Sequence, residues 1–274
     1  MNPYIQEMEV ASRLAREAGA LVLRYRDGDL RVELKPGDEP VTIADRRASD
    51  LIVGGLRAAF PDDVVISEEN PDDLRRLAAD RVWYIDPIDG TKDYIQGWDG
   101  FCVMIGLTVA HRPVAGVLYQ PVGDRLYCGV PGHGAWMETT DQPRRELRCS
   151  PVNQLAEVRL VVSKSHRGAE IDDVKRALGI ENELNLGSVG LKLGLIALAE
   201  RDLYVNPSPR CKTWDTCAPE AVLVAAGGRM TDLHGDPLRY DQTDQLRLAG
   251  MVATNGHVHE AVIAKIAPIF PRAN

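Results

Sequence analysis

Three features of this 274-residue chain predict a layered α/β protein built in two blocks. Residues 3–26 place Ile5, Met8, Ala11, Leu14, Ala18, Leu21, Val22 and Tyr25 at helical spacing. Residues 101–130 hold three apolar runs joined by short turns, which reads as an antiparallel meander. After residue 157 short apolar runs alternate with helical patterns, the signature of a smaller α/β layer. The polar, proline-bearing stretch 141–157 separates the blocks, so an N-terminal domain is expected over 1–148 and a C-terminal one over 149–274.

The elements follow in order. Asp27-Gly28-Asp29 stops the first helix, and Lys35-Pro36-Gly37-Asp38-Glu39-Pro40 is a turn-rich loop. Thr42 caps a second helix carrying Leu51, Ile52, Leu56 and Phe60, which Phe60-Pro61-Asp62 ends. Val64–Ile66 is a short strand leading into Ser67-Glu68-Glu69, and a strand over 82–86 is expected to end at Pro87, which cannot donate to a ladder. The meander takes Phe101–Ala110, Pro113–Gln120 and Arg125–Val130. The second block reads as strand Leu160–Ser163, helix Ala169–Leu178, helix Val189–Ala199 and strand Asp202–Val205. It continues with helix 216–226, strands 229–232 and 248–253, and helix 257–267.

A composition of 45% hydrophobic, 26% charged and only 5% aromatic residues describes a globular chain with an aliphatic core. The net charge of −8 argues against general nucleic-acid binding, which needs a basic footprint. An anionic substrate would need metal ions or a few placed cations. Cys102, Cys128, Cys149, Cys211 and Cys217 are odd in number and lack CxxC spacing, which fits reduced thiols in a cytoplasm. The longest apolar run, Phe101–Ala110, is too short for a bilayer, and residues 1–8 show no basic export signal. A cytoplasmic protein without membrane contact is therefore expected.

The richest stretch is Trp83-Tyr84-Ile85-Asp86-Pro87-Ile88-Asp89-Gly90-Thr91-Lys92. It places two carboxylates three residues apart at a strand terminus, where α/β folds put their sites. Such a pair suits a hard divalent cation. Three other acidic features stand at element ends: Asp45, Glu68-Glu69 and Trp214-Asp215. Each alone reads as a cap or a solvated edge, and Asp215 most simply as an N-cap. Together they can deliver five carboxylates to one pocket. No His/Cys cluster has zinc spacing, so oxygen ligands favour Mg²⁺ over Zn²⁺. His257-Val258-His259 sits at a late helix start and is set aside as a metal pair, and Gly90-Thr91-Lys92 lacks the upstream glycine of a P-loop.

Asp45, Glu68-Glu69, Asp86-Pro87-Ile88-Asp89-Gly90-Thr91 and Trp214-Asp215, in this order, resemble the inositol monophosphatase superfamily of magnesium-dependent, lithium-sensitive phosphomonoesterases. Lys92-Asp93-Tyr94-Ile95 and Val162-Ser163-Lys164-Ser165-His166 are similar to runs of the 3'(2'),5'-bisphosphate nucleotidases within it, whereas Ser188-Val189-Gly190 looks more like the monophosphatases. The resemblance implies an α-β-α-β-α sandwich of the inositol monophosphatase/fructose-1,6-bisphosphatase type. It also implies two or three Mg²⁺ held by Glu68, Asp86, Asp89, Asp215 and the Ile88 carbonyl. Asp45 and Thr91 would activate the attacking water, with Glu68 sharing it. Gly90, Thr91, Lys92, His166, Ser188, Lys192, Arg210 and Lys212 are the expected substrate contacts, and Trp214 should pack beneath the site. The implied reaction is hydrolysis of adenosine 3',5'-bisphosphate to AMP and phosphate. The alternatives are an inositol or sugar monophosphatase acting on inositol 1-phosphate or fructose 1,6-bisphosphate, and a non-catalytic cation- or nucleotide-binding member. The resemblance accommodates a homodimer as well as a monomer.

Overall fold

The long first helix α1 (Ile5–Arg26) buries Met8, Ala11, Leu14, Ala15, Ala18 and Val22, the stripe that its spacing predicts. The computed structural model describes residues 2–28, 30–35, 39–164, 167–245 and 250–272. A hairpin of β1 (Val32–Lys35) and β2 (Glu39–Thr42) occupies the predicted loop and leads directly into α2 (Ile43–Ala59). Pro40 is tolerated there because the hairpin forms its own two-stranded sheet, with edges on both sides. Thr42 caps α2 as expected, its hydroxyl accepting from Ala44 N at 3.2 Å and Asp45 N at 3.4 Å.

The main sheet follows with β3 (Val64–Ser67), β4 (Arg81–Asp89), the short helix α3 (Thr91–Ile95), β5 (Cys102–Val109), β6 (Arg112–Gln120), β7 (Arg125–Val130), β8 (Gly134–Thr139) and β9 (Gln142–Leu147). Its seven strands lie in chain order; β3 runs parallel to β4 and the rest are antiparallel. The predicted meander is present, but it continues into the polar stretch. Strand β9 is exposed along all but its last residue, so an edge strand there carries the composition of a loop.

The second half adds β10 (Leu160–Ser163), α4 (Glu170–Leu178), β11 (Glu183–Leu186), α5 (Val189–Ala197), β12 (Leu203–Asn206), α6 (Thr213–Ala225), β13 (Arg229–Thr231), β14 (Met251–Thr254) and α7 (His259–Ile266). Among the described residues these strands form a five-stranded sheet of order β11-β10-β12-β14-β13. Residues 248 and 249 of the expected strand 248–253 lie outside the described residues.

Five layers result. Leu14, Ala18, Ile52 and Leu56 of α1 and α2 pack on Trp83, Ile85, Val103, Ile105 and Val117 of the large sheet. Its opposite face, with Met104, Leu118 and Tyr127, packs on Leu191, Ala218 and Val222 of α5 and α6. Val161, Tyr204 and Ala253 of the small sheet meet the same two helices through Leu193, Ile196 and Cys217. Val162, Val205 and Val252 on its far side meet Ile171, Val174, Val262 and Ile266 of α4 and α7. This is the α-β-α-β-α sandwich expected.

Glycine lets α6 lie directly on the large sheet. Gly106, Gly116 and Gly129 pair across β5, β6 and β7, and a Cβ on any of them would strike the backbone of Ala218 or Val222. Helix α6 carries Asp215, so this contact fixes its depth against β4. Among the described residues no helix is long and apolar enough to cross a membrane.

Candidate active site

Asp86 and Asp89 come from the end of β4, and Thr91 from the start of α3 just after it. The strand does not stop at Pro87, as the sequence suggested, but runs to Asp89. Pairing with β5 is interrupted after Asp86–Met104 and resumes at Asp89–Cys102, so Pro87 occupies the irregularity where no ladder donor is required. Ile88 N donates to Asp86 Oδ1 at 3.0 Å, which turns the backbone and brings both buried carboxylates to one end. Gly90 then takes φ 100°, and a Cβ there would also press on the Gly100 carbonyl. Thr91 opens α3, with its hydroxyl 2.9 Å from Ile88 O and 3.2 Å from Asp45 Oδ1.

Asp45 and Asp215 are supplied by two helix starts of the same design. Each is the third residue of its helix, and each accepts a backbone N–H from the capping residue on Oδ2 at 2.7 Å: Thr42 N for Asp45, Lys212 N for Asp215. Asp215 is therefore not an N-cap. Helix α6 starts at Thr213, which leaves Pro219 inside the helix rather than in its first turn. In both cases Oδ1 remains available to the site.

Glu68 and Glu69 follow β3, and Lys35 on the hairpin reaches both, at 3.0 Å and 2.5 Å. Sequence reasoning missed Lys35, because its only signal was a turn-rich loop. Burial draws its ammonium down, but Glu68 and Glu69 outweigh burial and hold it above the usual lysine range. Among the described residues no three His, Cys, Asp or Glu side chains are gathered into a ready cation cage. The glutamates instead lean on this ammonium.

The electrostatics ask for a cation. Burial, then repulsion from Glu68, Asp89 and Asp215, pushes Asp86 well above the carboxylate range. Burial, Glu68 and Asp89 push Asp215 up to about 7. Burial raises Asp89 as well, against the pull of Lys192, Ser188 and two backbone N–H groups. Carboxylates this crowded resist ionising together unless positive charge joins them. The donor set is all oxygen and hard, so these residues fit Mg²⁺.

The cleft holds about 180 Å³ and is lined by Glu68, Asp86, Ile88, Asp89, Thr91 and Asp215, together with Gly90, Lys92, Arg210 and Lys212. That is less than the roughly 300–1,000 Å³ of a pocket enclosing a whole small molecule. Lys92 and Arg210 are exposed at its rim. Lys212 pairs with Glu39 at 3.1 Å, and its Nζ lies 5.2 Å from the centre of the Trp214 ring, which is buried and forms part of the wall. Tyr204, Asn206 and Ser208 also line it, unanticipated because strand ends in the small sheet carry no motif.

Two expected contacts are displaced. Lys192 is fully buried, and its Nζ donates to Gly187 O at 2.7 Å and Leu186 O at 3.2 Å rather than facing the cleft. Burial lowers this ammonium to about 8 while Asp89 opposes the shift. Ser188 is likewise buried; it caps α5 through Leu191 N and donates to Asp89 Oδ2. Both residues support Asp89 from behind. His166 lies outside the described residues.

A sequence model described as the inositol monophosphatase family matches residues 5–269. The 3'(2'),5'-bisphosphate nucleotidase CysQ of Escherichia coli K12 is 35% identical over 236 residues, spanning 85% of this chain and 93% of the relative. Human 3'(2'),5'-bisphosphate nucleotidase 1 is 31% identical over 283 residues, with 89% of each chain covered. Among solved structures, CysQ from Bacteroides thetaiotaomicron superposes with a TM-score of 0.78 at 29% identity, over 93% of this chain and 98% of that one. An IMPase from Thermotoga maritima gives 0.81 at 23% identity, over 97% and 98%, which is a likeness of fold. The match from end to end joins the motif geometry to a single conclusion: the chain belongs to the inositol monophosphatase family.

Proposed function

We propose that this protein is a Mg²⁺-dependent 3'(2'),5'-bisphosphate nucleotidase that converts adenosine 3',5'-bisphosphate to AMP and phosphate. As a member of the family the chain is a phosphatase that hydrolyses phosphate monoesters. The observation that carries the finer reading is 30–36% identity to bisphosphate nucleotidases from bacteria to mammals over most of the chain. In this reading Glu68, Asp86, Asp89, Asp215 and the Ile88 carbonyl hold two or three Mg²⁺. When bound, the ions neutralise the phosphate and acidify the attacking water.

Thr91 accepts the proton of that water as it hands its own to Asp45 Oδ1, 3.2 Å away. Asp45 suits the task. Burial raises it to about 6, against the two hydrogen bonds that Thr42 gives Oδ2, so at neutral pH it is ionised yet close to the proton it must take. Gly90 lets the ester approach the backbone, and Lys92, Arg210 and Lys212 offer positive charge at the rim for a second phosphate.

An inositol or sugar monophosphatase is the second reading. It is favoured by the withdrawal of Lys192 from the cleft, which removes one cation from the set for a second phosphate. Phosphate release with Mg²⁺ from adenosine 3',5'-bisphosphate, inositol 1-phosphate and fructose 1,6-bisphosphate, each with and without Li⁺, separates the two. Preference for the nucleotide is expected; preference for inositol 1-phosphate overturns the nucleotidase assignment.

A further inference from the structure

Behind the carboxylates, one chain of partly buried polar contacts crosses from the N-terminal half to α6. Arg76 lies in the connection between β3 and β4, the segment that begins with Glu68 and Glu69. It is fully buried, and each of its three side-chain nitrogens donates one hydrogen bond at 2.8 Å: Nε to Asp72 Oδ2, Nη1 to Gln242 O and Nη2 to Thr243 O. The same Asp72 oxygen accepts from Gln245 Nε2 at 2.8 Å, and Gln245 Oε1 accepts from Thr213 Oγ1 at 2.6 Å. Thr213 is buried, opens α6 and stands two residues before Asp215.

Burying a guanidinium is costly unless it is paired and hydrogen-bonded, so Arg76 anchors Asp72 as a post. The Gln245 amide reads that post with its N–H and the first turn of α6 with its oxygen, a donor–acceptor polarity that only an amide supplies here. We propose that Gln245 is a positioning residue that sets the span between Glu68-Glu69 and Asp215, and thereby the affinity of the site for Mg²⁺. The proposal rests on the metal-dependent reading above. Mg²⁺ tolerates little departure from octahedral geometry, so slack in this span weakens binding before it alters the chemistry.

The test titrates Mg²⁺ calorimetrically, without substrate, into the wild-type chain, Gln245→Leu and Gln245→Glu. Cooperative melting in chelator certifies each fold. Gln245→Leu should bind Mg²⁺ about 10-fold more weakly, as for other residues that support metal ligands. Its kcat at saturating Mg²⁺ should stay within about twofold of wild type, because the reacting groups are untouched. Gln245→Glu, which sets a carboxylate against Asp72, should bind Mg²⁺ more weakly still. If Gln245→Leu fails to fold, Thr213→Val removes the other end of the same contact. Full affinity in Gln245→Leu, a fall in kcat with affinity unchanged, or a Gln245→Glu variant that binds Mg²⁺ as tightly as wild type overturns the proposal. A wild-type chain that takes up no Mg²⁺ sinks the functional reading and this proposal together.

Discussion

The starts of α2 and α6 use one local device in two different settings. Asp45 and Asp215 both sit third in their helices, and each receives a capping N–H at 2.7 Å on Oδ2. At α2 the Thr42 hydroxyl joins in, Asp45 is 2% exposed, and its free oxygen meets the Thr91 hydroxyl. At α6 no capping hydroxyl is present, and Asp215 is half-buried with Glu68 and Asp89 as the charges that raise it. Capping therefore orients one oxygen in each case, and in the proposed reading the neighbours of the other oxygen divide proton acceptor from metal ligand.

Removing each acid separates the roles. Asp45→Asn keeps an acceptor for Thr42 but cannot take a proton, so turnover should fall by about 10²–10⁴-fold and stay low at any Mg²⁺ concentration. Thr91→Ala should behave alike, and near-normal turnover in either variant, with the fold intact by circular dichroism, would break the assignment. Asp215→Asn should instead raise the Mg²⁺ needed for half-maximal activity by about 10–100-fold, with much of the rate returning as Mg²⁺ is added. An Asp215→Asn enzyme that excess Mg²⁺ cannot restore would make the two helix starts equivalent.

A smaller effect lies in stability. In metal-free protein Asp45 rises from 3.8 to about 6 and Asp215 from 3.8 to about 7 on folding. The folded state thus binds more protons than the unfolded one over that window. The associated stability is fully present below about pH 4 and is lost as pH rises through 6 to 7. Mg²⁺ replaces the lost protons, so it should raise the melting temperature by several degrees at pH 8 and much less at pH 5. Equal stabilisation at both values would contradict the crowded-carboxylate picture.

The smallest expected effect concerns the caps themselves. Thr42→Ala should cost about 1 kcal/mol, read as a fall of about 2–4 °C in melting temperature. Lys212→Ala leaves the backbone cap in place and removes a partly exposed ion pair with Glu39, worth about 0–1 kcal/mol, together with the ammonium's approach to the Trp214 ring. Losses of the same size from both would remove the contrast between the two caps.

Much of the site was legible in the sequence because its residues sit at element ends, where breaks in pattern are visible. Asp86, Asp89, Gly90 and Thr91 are contiguous, and Thr42 announces the helix that places Asp45. What escaped was non-local. Strands β1 and β9 look like loops because β1 and all but the last residue of β9 lie outside the core. Lys35 meets Glu68 only through the return of the β1–β2 hairpin. Lys192, by its charge and its place near a motif, reads as a substrate contact, whereas the loop entering α5 absorbs its ammonium.

The sequence by itself determined the chemistry available: hard oxygen ligands, a threonine beside an acid, and the order in which they come. Periodicity and capping are local, so it also determined most of the helices and the meander. Only the tertiary structure decided the depth and direction of each group. Three glycines spaced along separate strands align only when those strands pair, and only then can α6 settle on the sheet and bring Asp215 to Asp86 and Asp89.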